Sequence, residues 1–180
     1  MTTTMNIHVR EAWETIAPPA DGKHGPLPAL LLAMTFVTGV VDAFSYLALG
    51  RVFVANMTGN VVFLAFGLAG AAGFAAWASI TSLLTFACGA AIGGRILRIH
   101  NTHRGKQLRT ALVGQCALMV AAAVVAWTCP HPYDRAASAA LIALVSAAMG
   151  LQNAVARGLA VPDLTTTVLT LTITGVFGDS

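Results

Sequence analysis

Charge is what this sequence has least of. Asp, Glu, Lys and Arg together make up only 9% of its 180 residues, whereas soluble domains carry roughly 25%. Hydrophobic residues make up 57%, and the mean hydropathy is +0.76. The composition excludes an ordinary soluble domain and predicts an all-α, polytopic membrane protein with most of its surface facing the lipid bilayer.

Cysteine is also scarce, because the chain has only Cys88, Cys116 and Cys129 and no C-x-x-C pair. We therefore expect neither a disulfide framework nor a metal site. His100 and His103 have ligand-like spacing, but no carboxylate or cysteine accompanies them, so a solvated basic loop is the favoured interpretation. No motif calls for a cofactor.

Sequence motifs typical of enzymes are missing as well. The chain has no Walker-type phosphate loop and no G-x-G-x-x-G turn. No apolar run carries a His–acid, Ser–His or Cys–His set, and general acid–base catalysis normally needs two positioned groups. We therefore expect a protein that is not an enzyme.

Apolar runs divide the chain into a polar tail, residues 1–26, and one transmembrane domain, residues 27–180. The tail lacks the apolar core of a signal peptide. Val168–Thr174 alternates in the manner of a strand, but an isolated strand in hydrocarbon leaves its backbone unpaired, so we expect helix there. About six spans are predicted: Leu27–Leu49, Phe53–Gly70, Trp77–Gly94, Thr110–Trp127, Ala136–Ala156 and Leu164–Phe177.

Basic residues cluster between Arg95 and Arg109, which holds half of the ten Lys and Arg. Such clustering beside a membrane sets topology more often than it binds nucleic acid, and we expect no nucleic-acid partner. With six spans, Arg51, this basic loop and Arg157 lie on one side. The positive-inside bias then predicts that the loop and both short breaks are cytoplasmic and that the N-terminus is outside.

Small residues recur at Gly89 and Gly93 in the third run. This small-xxx-small spacing lets another helix approach closely. A homo-oligomer through these glycines is therefore one prediction, and glycines that merely face lipid are the alternative.

Asp42 is the ionisable residue that lies well inside a predicted span. A charge there is expensive and is usually kept for a function. An apolar site favours the protonated form of a carboxyl group, which would let Asp42 exchange protons during transport. The structural alternative is a hydrogen-bonded staple to Asn60, Asn153 or an arginine.

An internal repeat relates the first two runs to the last two. Ser146, Gly150, Asn153 and Arg157 align at one constant offset with Thr35, Gly39, Asp42 and Tyr46. After a break in each half, residues 161–168 align with residues 54–61. Because an even number of predicted spans separates the two pairs, the repeat is predicted to be parallel, with a chance alignment as the alternative.

Each break is followed by a polar helix start, at Asn56 and at Asp163. N-capping of the helix that follows explains an Asn or Asp at these positions as well as a binding role does. Asn60 lies a turn deeper than Asn56, where capping no longer applies.

The two polar motifs, Gly39-x-x-Asp42-Ala with Phe53-Val-Ala-Asn-Met-Thr-Gly-Asn60, and Met149-Gly-Leu-Gln-Asn153-Ala with Val161-Pro-Asp-Leu-Thr-Thr-Thr-Val168, resemble the YoaK-like family of bacterial inner-membrane proteins, a domain of unknown function. The resemblance implies a compact helical protein of the cytoplasmic membrane and supplies no substrate or reaction. Members usually continue past Ser180, so we expect a C-terminally shortened member.

These observations favour a small secondary transporter or permease for a small molecule or protons. A non-transporting membrane protein, such as a partner or stability factor for another complex, is the alternative. We expect the repeats to converge on one polar pocket. Its predicted substrate- or ion-binding residues are Asp42, Asn56, Thr58, Asn60, Gln152, Asn153, Asp163 and Thr167.

Overall fold

A computed structural model describes residues 27–99 and 104–159, and every contact reported below lies within one compact unit, Thr38–Leu159. The polar tail, the predicted sixth span, His100, His103, Asp163 and Thr167 lie outside the described residues. Those residues form helices and connecting turns, with no strand in either described range. The helices are α1 (Leu27–Ala48), α2 (Met57–Leu68), α3 (Ala76–Ile99), α4 (Arg104–Thr128) and α5 (Arg135–Leu159).

Three of these helices, α3, α4 and α5, are long and apolar enough to cross a membrane. At 22 residues, α1 also reaches the length of a span. The all-helical membrane class is thereby confirmed. The predicted basic loop is largely helical, because Arg95 and Arg98 belong to the end of α3 and Lys106 and Arg109 to the start of α4.

The centre of the bundle is α5, which packs against both α3 and α4. Glycines allow the backbones of α3 and α5 to touch. A Cβ atom on Gly89 would overlap the Ala147 carbonyl, and a Cβ atom on Gly150 would overlap the Phe86 carbonyl. The predicted close approach at Gly89 is confirmed. Its partner is α5 of the same chain, and a homo-oligomer stays a prediction.

Contacts at the helix ends fix the directions of the long helices. The Arg135 guanidinium lies 5.1 Å from the Trp77 ring centroid, so α3 and α5 begin together. At the other end, Gly158 lies against the Leu97 side chain, so α3 and α5 run parallel. The helix α4 runs the opposite way. We call the end where residues 129–134 join α4 to α5 the turn end, and the opposite end the basic end.

The last turn of α1 also lies at the turn end. Leu49 and Val52 share one buried apolar cluster with Ala78, Leu141 and Ile142 at the starts of α3 and α5. Since α1 ends where α5 begins, the two helices run in opposite directions. The parallel repeat was therefore a wrong prediction: its two leading helices are inverted with respect to each other.

The helix α2 does not cross the bundle. Its 12 residues extend about 18 Å, well short of the roughly 30 Å hydrocarbon core. The Arg51 guanidinium lies 5.3 Å from the Phe74 ring centroid, so the segments before and after α2 meet at the turn end. We call residues 49–75 the re-entrant hairpin. The predicted span Phe53–Gly70 is wrong, because this segment enters and leaves at one end.

Glycines in the left-handed conformation shape both ends of the hairpin. Gly50 has a φ of 90°, and the Arg51 N–H donates to the Tyr46 carbonyl at 3.1 Å, which ends α1 in a Schellman motif. Gly70 has a φ of 75° and ends α2 in the same way. The hairpin therefore places Arg51 at the turn end. The sequence had predicted that Arg51 lies on the same side of the membrane as the basic loop.

Aromatic rings fill the space between α1 and the hairpin. Tyr46 stacks on Phe53 at 5.6 Å between ring centroids, Phe53 contacts Phe63 at 5.0 Å, and Phe63 contacts Phe74 at 5.2 Å. These contacts hold both limbs of the hairpin against α1.

Candidate functional site

Asp42 binds the backbone at the tip of the re-entrant hairpin. Its Oδ1 accepts hydrogen bonds from the N–H groups of Val54 and Ala55, both at 2.8 Å, and its Oδ2 accepts one from Asn56 at 3.0 Å. The Asp42 side chain is 9% exposed. The carboxyl group therefore supplies acceptors for three consecutive N–H groups that have no partner in a helix or sheet.

The depth of this contact follows from helix geometry. Asp42 precedes the last residue of α1, Ala48, by six positions, or about 9 Å along the axis. The chain from Val52 to Asn56 thus descends into the bundle, and α2 climbs back to the turn end. Irregular backbone at membrane depth requires protein partners for its polar groups. Asp42 is such a partner, which gives a physical reason for an acid at this position.

Asn56 and Asp42 together complete the N-terminus of α2. The Asn56 Oδ1 accepts a hydrogen bond from the Gly59 N–H at 3.3 Å, so the N-capping that was the alternative to a binding role is observed. A negative group near a helix N-terminus also interacts favourably with the helix dipole. Asn56 itself is exposed, as is Thr58 in the first turn of α2. Their side chains lie at the surface of the hairpin tip.

Asn60 pairs with the backbone of Phe53 through both ends of its amide. Its Oδ1 accepts from the Phe53 N–H at 2.9 Å, and its Nδ2 donates to the Phe53 carbonyl at 2.6 Å. The side chain is fully buried. Asn60 thereby completes the backbone pairing that Asp42 begins, from residue 53 to residue 56.

Two serines extend this network across the bundle. The Ser82 hydroxyl donates to the Phe53 carbonyl at 2.7 Å and accepts from the Asn60 Nδ2 at 3.0 Å. It also lies 2.8 Å from the Ser146 hydroxyl of α5. Sequence reasoning gave no role to Ser82 and only an alignment position to Ser146. Both helices contain other hydroxyl residues, such as Ser79 and Ser138, so no local signal distinguished these two.

The remaining predicted residues lie elsewhere. The Gln152 Oε1 accepts from the Gln115 Nε2 of α4 at 2.5 Å, and the Asn153 Nδ2 donates to the Met149 carbonyl within α5. Gln152 follows Ser146 by six positions, or about 9 Å toward the basic end. The structure therefore unites Asp42, Asn56 and Asn60 but separates them from Gln152, so the expected single pocket is not formed by these residues.

The geometry favours a coupling between the charge of Asp42 and the position of the hairpin. Each of the three N–H groups requires an acceptor oxygen, and protonation of the carboxyl group replaces one acceptor with a donor. The partners differ from the predicted structural alternative, which named Asn60, Asn153 or an arginine. Within the described ranges, no three His, Cys, Asp or Glu residues cluster in the manner of a metal site.

Comparison with known proteins supports the membrane assignment. The chain is 32% identical over 152 residues to the UPF0700 transmembrane protein YoaK of Bacillus subtilis (strain 168). The matched region covers 83% of this chain and 65% of that relative, so this chain spans slightly less than two thirds of the relative's length. No solved structure matches. The family model for proteins of unknown function DUF1275 matches residues 30–180, and the chain therefore belongs to this family of bacterial membrane proteins.

Proposed function

We propose that this protein is a small secondary transporter of the bacterial cytoplasmic membrane, with a polar site around Asp42. The observation that carries the proposal is an interrupted helix: α2 begins inside the bundle, with its N-terminus directed at a buried carboxyl group. Transporters typically build their substrate and ion sites from such interrupted helices. The opposite directions of α1 and α5 support an inverted repeat, which is another feature of secondary transporters.

The re-entrant hairpin is the moving part in this proposal. Ionised Asp42 holds residues 54–56 through three hydrogen bonds, and a proton or a bound cation on the carboxyl group competes with them. Loss of this hold frees the tip, where Asn56 and Thr58 contact the solute. Asn60 keeps Phe53 in place and limits the movement to the tip. Asp163 and Thr167 supply the corresponding groups of the second repeat.

Flux through liposomes tests the transport proposal. The full-length protein is reconstituted with a pH-sensitive dye inside the vesicles and challenged with a panel of small metabolites. We expect substrate-dependent proton flux in the wild type and at least a tenfold lower rate in Asp42→Asn. The reason is that the asparagine amide does not take up a proton near neutral pH. Gly94→Ala is the control, since a Cβ atom there meets no neighbour within 4 Å.

Absence of flux in the wild type across the panel, with the protein folded, contradicts transport. Equal flux in wild type and Asp42→Asn contradicts only the role of the carboxyl group and leaves the transport proposal standing.

The second candidate function is that of a non-transporting membrane partner or stability factor. It is favoured by the complete engagement of the Asn60 amide and of both Asp42 oxygens with backbone, which is what a structural staple does. In that case Asp42→Asn lowers the stability of the protein and of its complex, while liposomes show no flux for any variant.

The proposed orientation places the basic end in the cytoplasm. Two described basic residues, Arg51 and Arg135, lie at the turn end. Six lie at the basic end, namely Arg95, Arg98, Arg104, Lys106, Arg109 and Arg157. The positive-inside bias therefore supports a cytoplasmic basic end and an external turn end.

Cysteine labelling of intact cells tests this orientation. In a background without native cysteines, we expect an impermeant maleimide to label His131→Cys from outside. Lys106→Cys should react only after the membrane is permeabilised. The reverse pattern contradicts the orientation, and labelling of both positions from outside contradicts a span in α4.

A further inference from the structure

An amide pair joins α4 to α5, formed by the part-buried Gln115 and by Gln152, which lies in the half of α5 nearer the basic end. The Gln115 Nε2 donates to the Gln152 Oε1 at 2.5 Å. Gln152 is only 4% exposed, and its Nε2 has no hydrogen-bond partner among the described residues. Buried polar groups are nearly always paired, so an unpaired amide donor indicates a group that binds there.

The position of this donor separates it from the Asp42 site. Gln152 precedes the end of α5, Leu159, by seven residues, or about 10 Å along the axis. Gln115 follows the first residue of α4, Arg104, by 11 residues, or about 16 Å, so the pair lies between the middle of the bundle and the basic end. The donor therefore lies within reach of the basic end, whereas Asp42 lies within reach of the turn end.

Charge at the basic end favours a ligand of one sign. Among the described residues, six basic side chains and no acid belong to this end, because the two described acids, Asp42 and Asp134, belong to the other half of the bundle. A protein surface that carries one sign of charge concentrates solutes of the opposite sign. An anion entering here meets an amide donor, and a carboxylate oxygen is a natural partner for that donor.

We propose that Gln152, oriented by Gln115, forms a binding subsite for a small carboxylate-bearing solute that enters from the basic end. The subsite deepens the proposed transport function, on which it rests, because it names the solute class. Gln152 donates its free N–H to a carboxylate oxygen. Gln115 is a positioning residue, since its hydrogen bond fixes which end of the Gln152 amide faces the solute.

Thermal unfolding of the full-length protein in neutral detergent tests the subsite without requiring flux. The probes are the sodium salts of acetate, lactate, succinate and glutamate, each compared with sodium chloride at equal ionic strength. We expect at least one carboxylate to raise the Tm by a few degrees. The shift should disappear in Gln152→Leu and in Gln152→Glu, which presents an acceptor instead of the donor. It should weaken in Gln115→Met and persist in Gly94→Ala.

Gln115→Met keeps Gln152 intact and maintains the test if the Gln152 variants do not fold. The subsite is overturned if no carboxylate raises the Tm, if the shift survives in Gln152→Leu, or if ammonium chloride rather than a carboxylate produces a shift that depends on Gln152. A Gln152-dependent shift without flux in liposomes rejects transport and keeps the subsite. Flux that does not depend on Gln152 keeps transport and rejects the subsite.

Discussion

Two interfaces of this bundle are held together by different kinds of contact. The re-entrant hairpin is held to α1 by polar groups, chiefly the carboxyl group of Asp42 and the amide of Asn60. The α3–α5 interface is held by direct contact of two backbones at Gly89 and Gly150. Both interfaces lie at membrane depth, where polar backbone groups need partners from the protein.

The difference follows from whether the backbone N–H and C=O groups already have hydrogen-bond partners. Residues 53–56 belong to no helix or strand, so their backbone groups require donors and acceptors from side chains. In α3 and α5 the helices already pair their own backbone groups, so their contact at Gly89 and Gly150 requires that side chains stay small, and the Ser82–Ser146 hydrogen bond adds to it. The hairpin should therefore be sensitive to hydrogen-bond chemistry at constant volume, and the α3–α5 interface to volume at constant polarity.

The largest effect is expected at the backbone contact of α3 and α5. Gly89→Ala and Gly150→Ala each place a methyl group on a carbonyl of the facing helix, which no rotamer can relieve. We expect each to lower the free energy of unfolding by about 3 kcal/mol or to prevent folding. Thermal unfolding in detergent measures the loss.

Gly94→Ala is the matched control in α3, because open space surrounds the added methyl group. It should be neutral or stabilising, since alanine favours helix over glycine by up to about 1 kcal/mol. Similar losses at positions 89 and 94 would contradict the backbone contact.

An intermediate loss of stability is expected at Asp42. It should depend on the hydrogen-bonding groups of the side chain rather than on its volume. Asp42→Ala leaves the three N–H groups of the hairpin tip without acceptors and should cost about 3 kcal/mol. Asp42→Asn keeps the shape but replaces one oxygen with a donor that faces an N–H group, which should cost about 2 kcal/mol. Urea or thermal unfolding of these two variants, compared with the wild type, measures the loss of stability.

Ser82→Ala provides the comparison for this pair, because it removes one neutral hydroxyl from the same network and should cost about 1 kcal/mol. If Asp42→Asn were as stable as the wild type, the three N–H contacts would not hold the hairpin.

The smallest effect is expected at the surface of the hairpin. Arg51 is exposed, and its guanidinium interacts with the Phe74 ring and with the Ala72 carbonyl at 3.5 Å. Arg51→Ala should lower stability by about 0.5 kcal/mol, the usual size of an exposed cation–π contact. Arg51→Gly should lose less, because the φ of 56° at this position suits glycine. A loss above about 2 kcal/mol would show that the surface contact, rather than Asp42, closes the hairpin.

Particular residues show how far sequence reasoning reached. The apolar runs predicted α1, α3, α4 and α5 to within a few residues at most ends, and the polar motifs indicated the family that the comparisons show. The close approach at Gly89 was foreseen, but its partner was not. Asp42 was correctly singled out as buried, whereas its partners, three backbone N–H groups, carry no mark in the sequence.

The hairpin is the clearest case of information missing from the local pattern. Phe53–Gly70 has the composition of a span, and composition alone does not show that only 12 of its residues are helical. Assigning it as a crossing span reversed the expected side of Arg51 and made the repeat parallel. One wrong crossing thus accounts for both errors. The roles of Ser82, Ser146 and Gln115 were missed because each is one of several neutral polar residues in its helix, and no local pattern distinguishes it from the others.

The sequence by itself determined the medium and the helical elements, because the solvent preference of a side chain and the reach of a 20-residue apolar run are local properties. It also determined that Asp42 would need a partner, since a buried carboxyl group always does. Only the tertiary structure decided that this partner is the tip of a hairpin, that α1 and α5 run in opposite directions, and that the glycines of α3 face α5. Those outcomes depend on which segments meet across the bundle, and contacts between distant segments are not encoded in any local pattern.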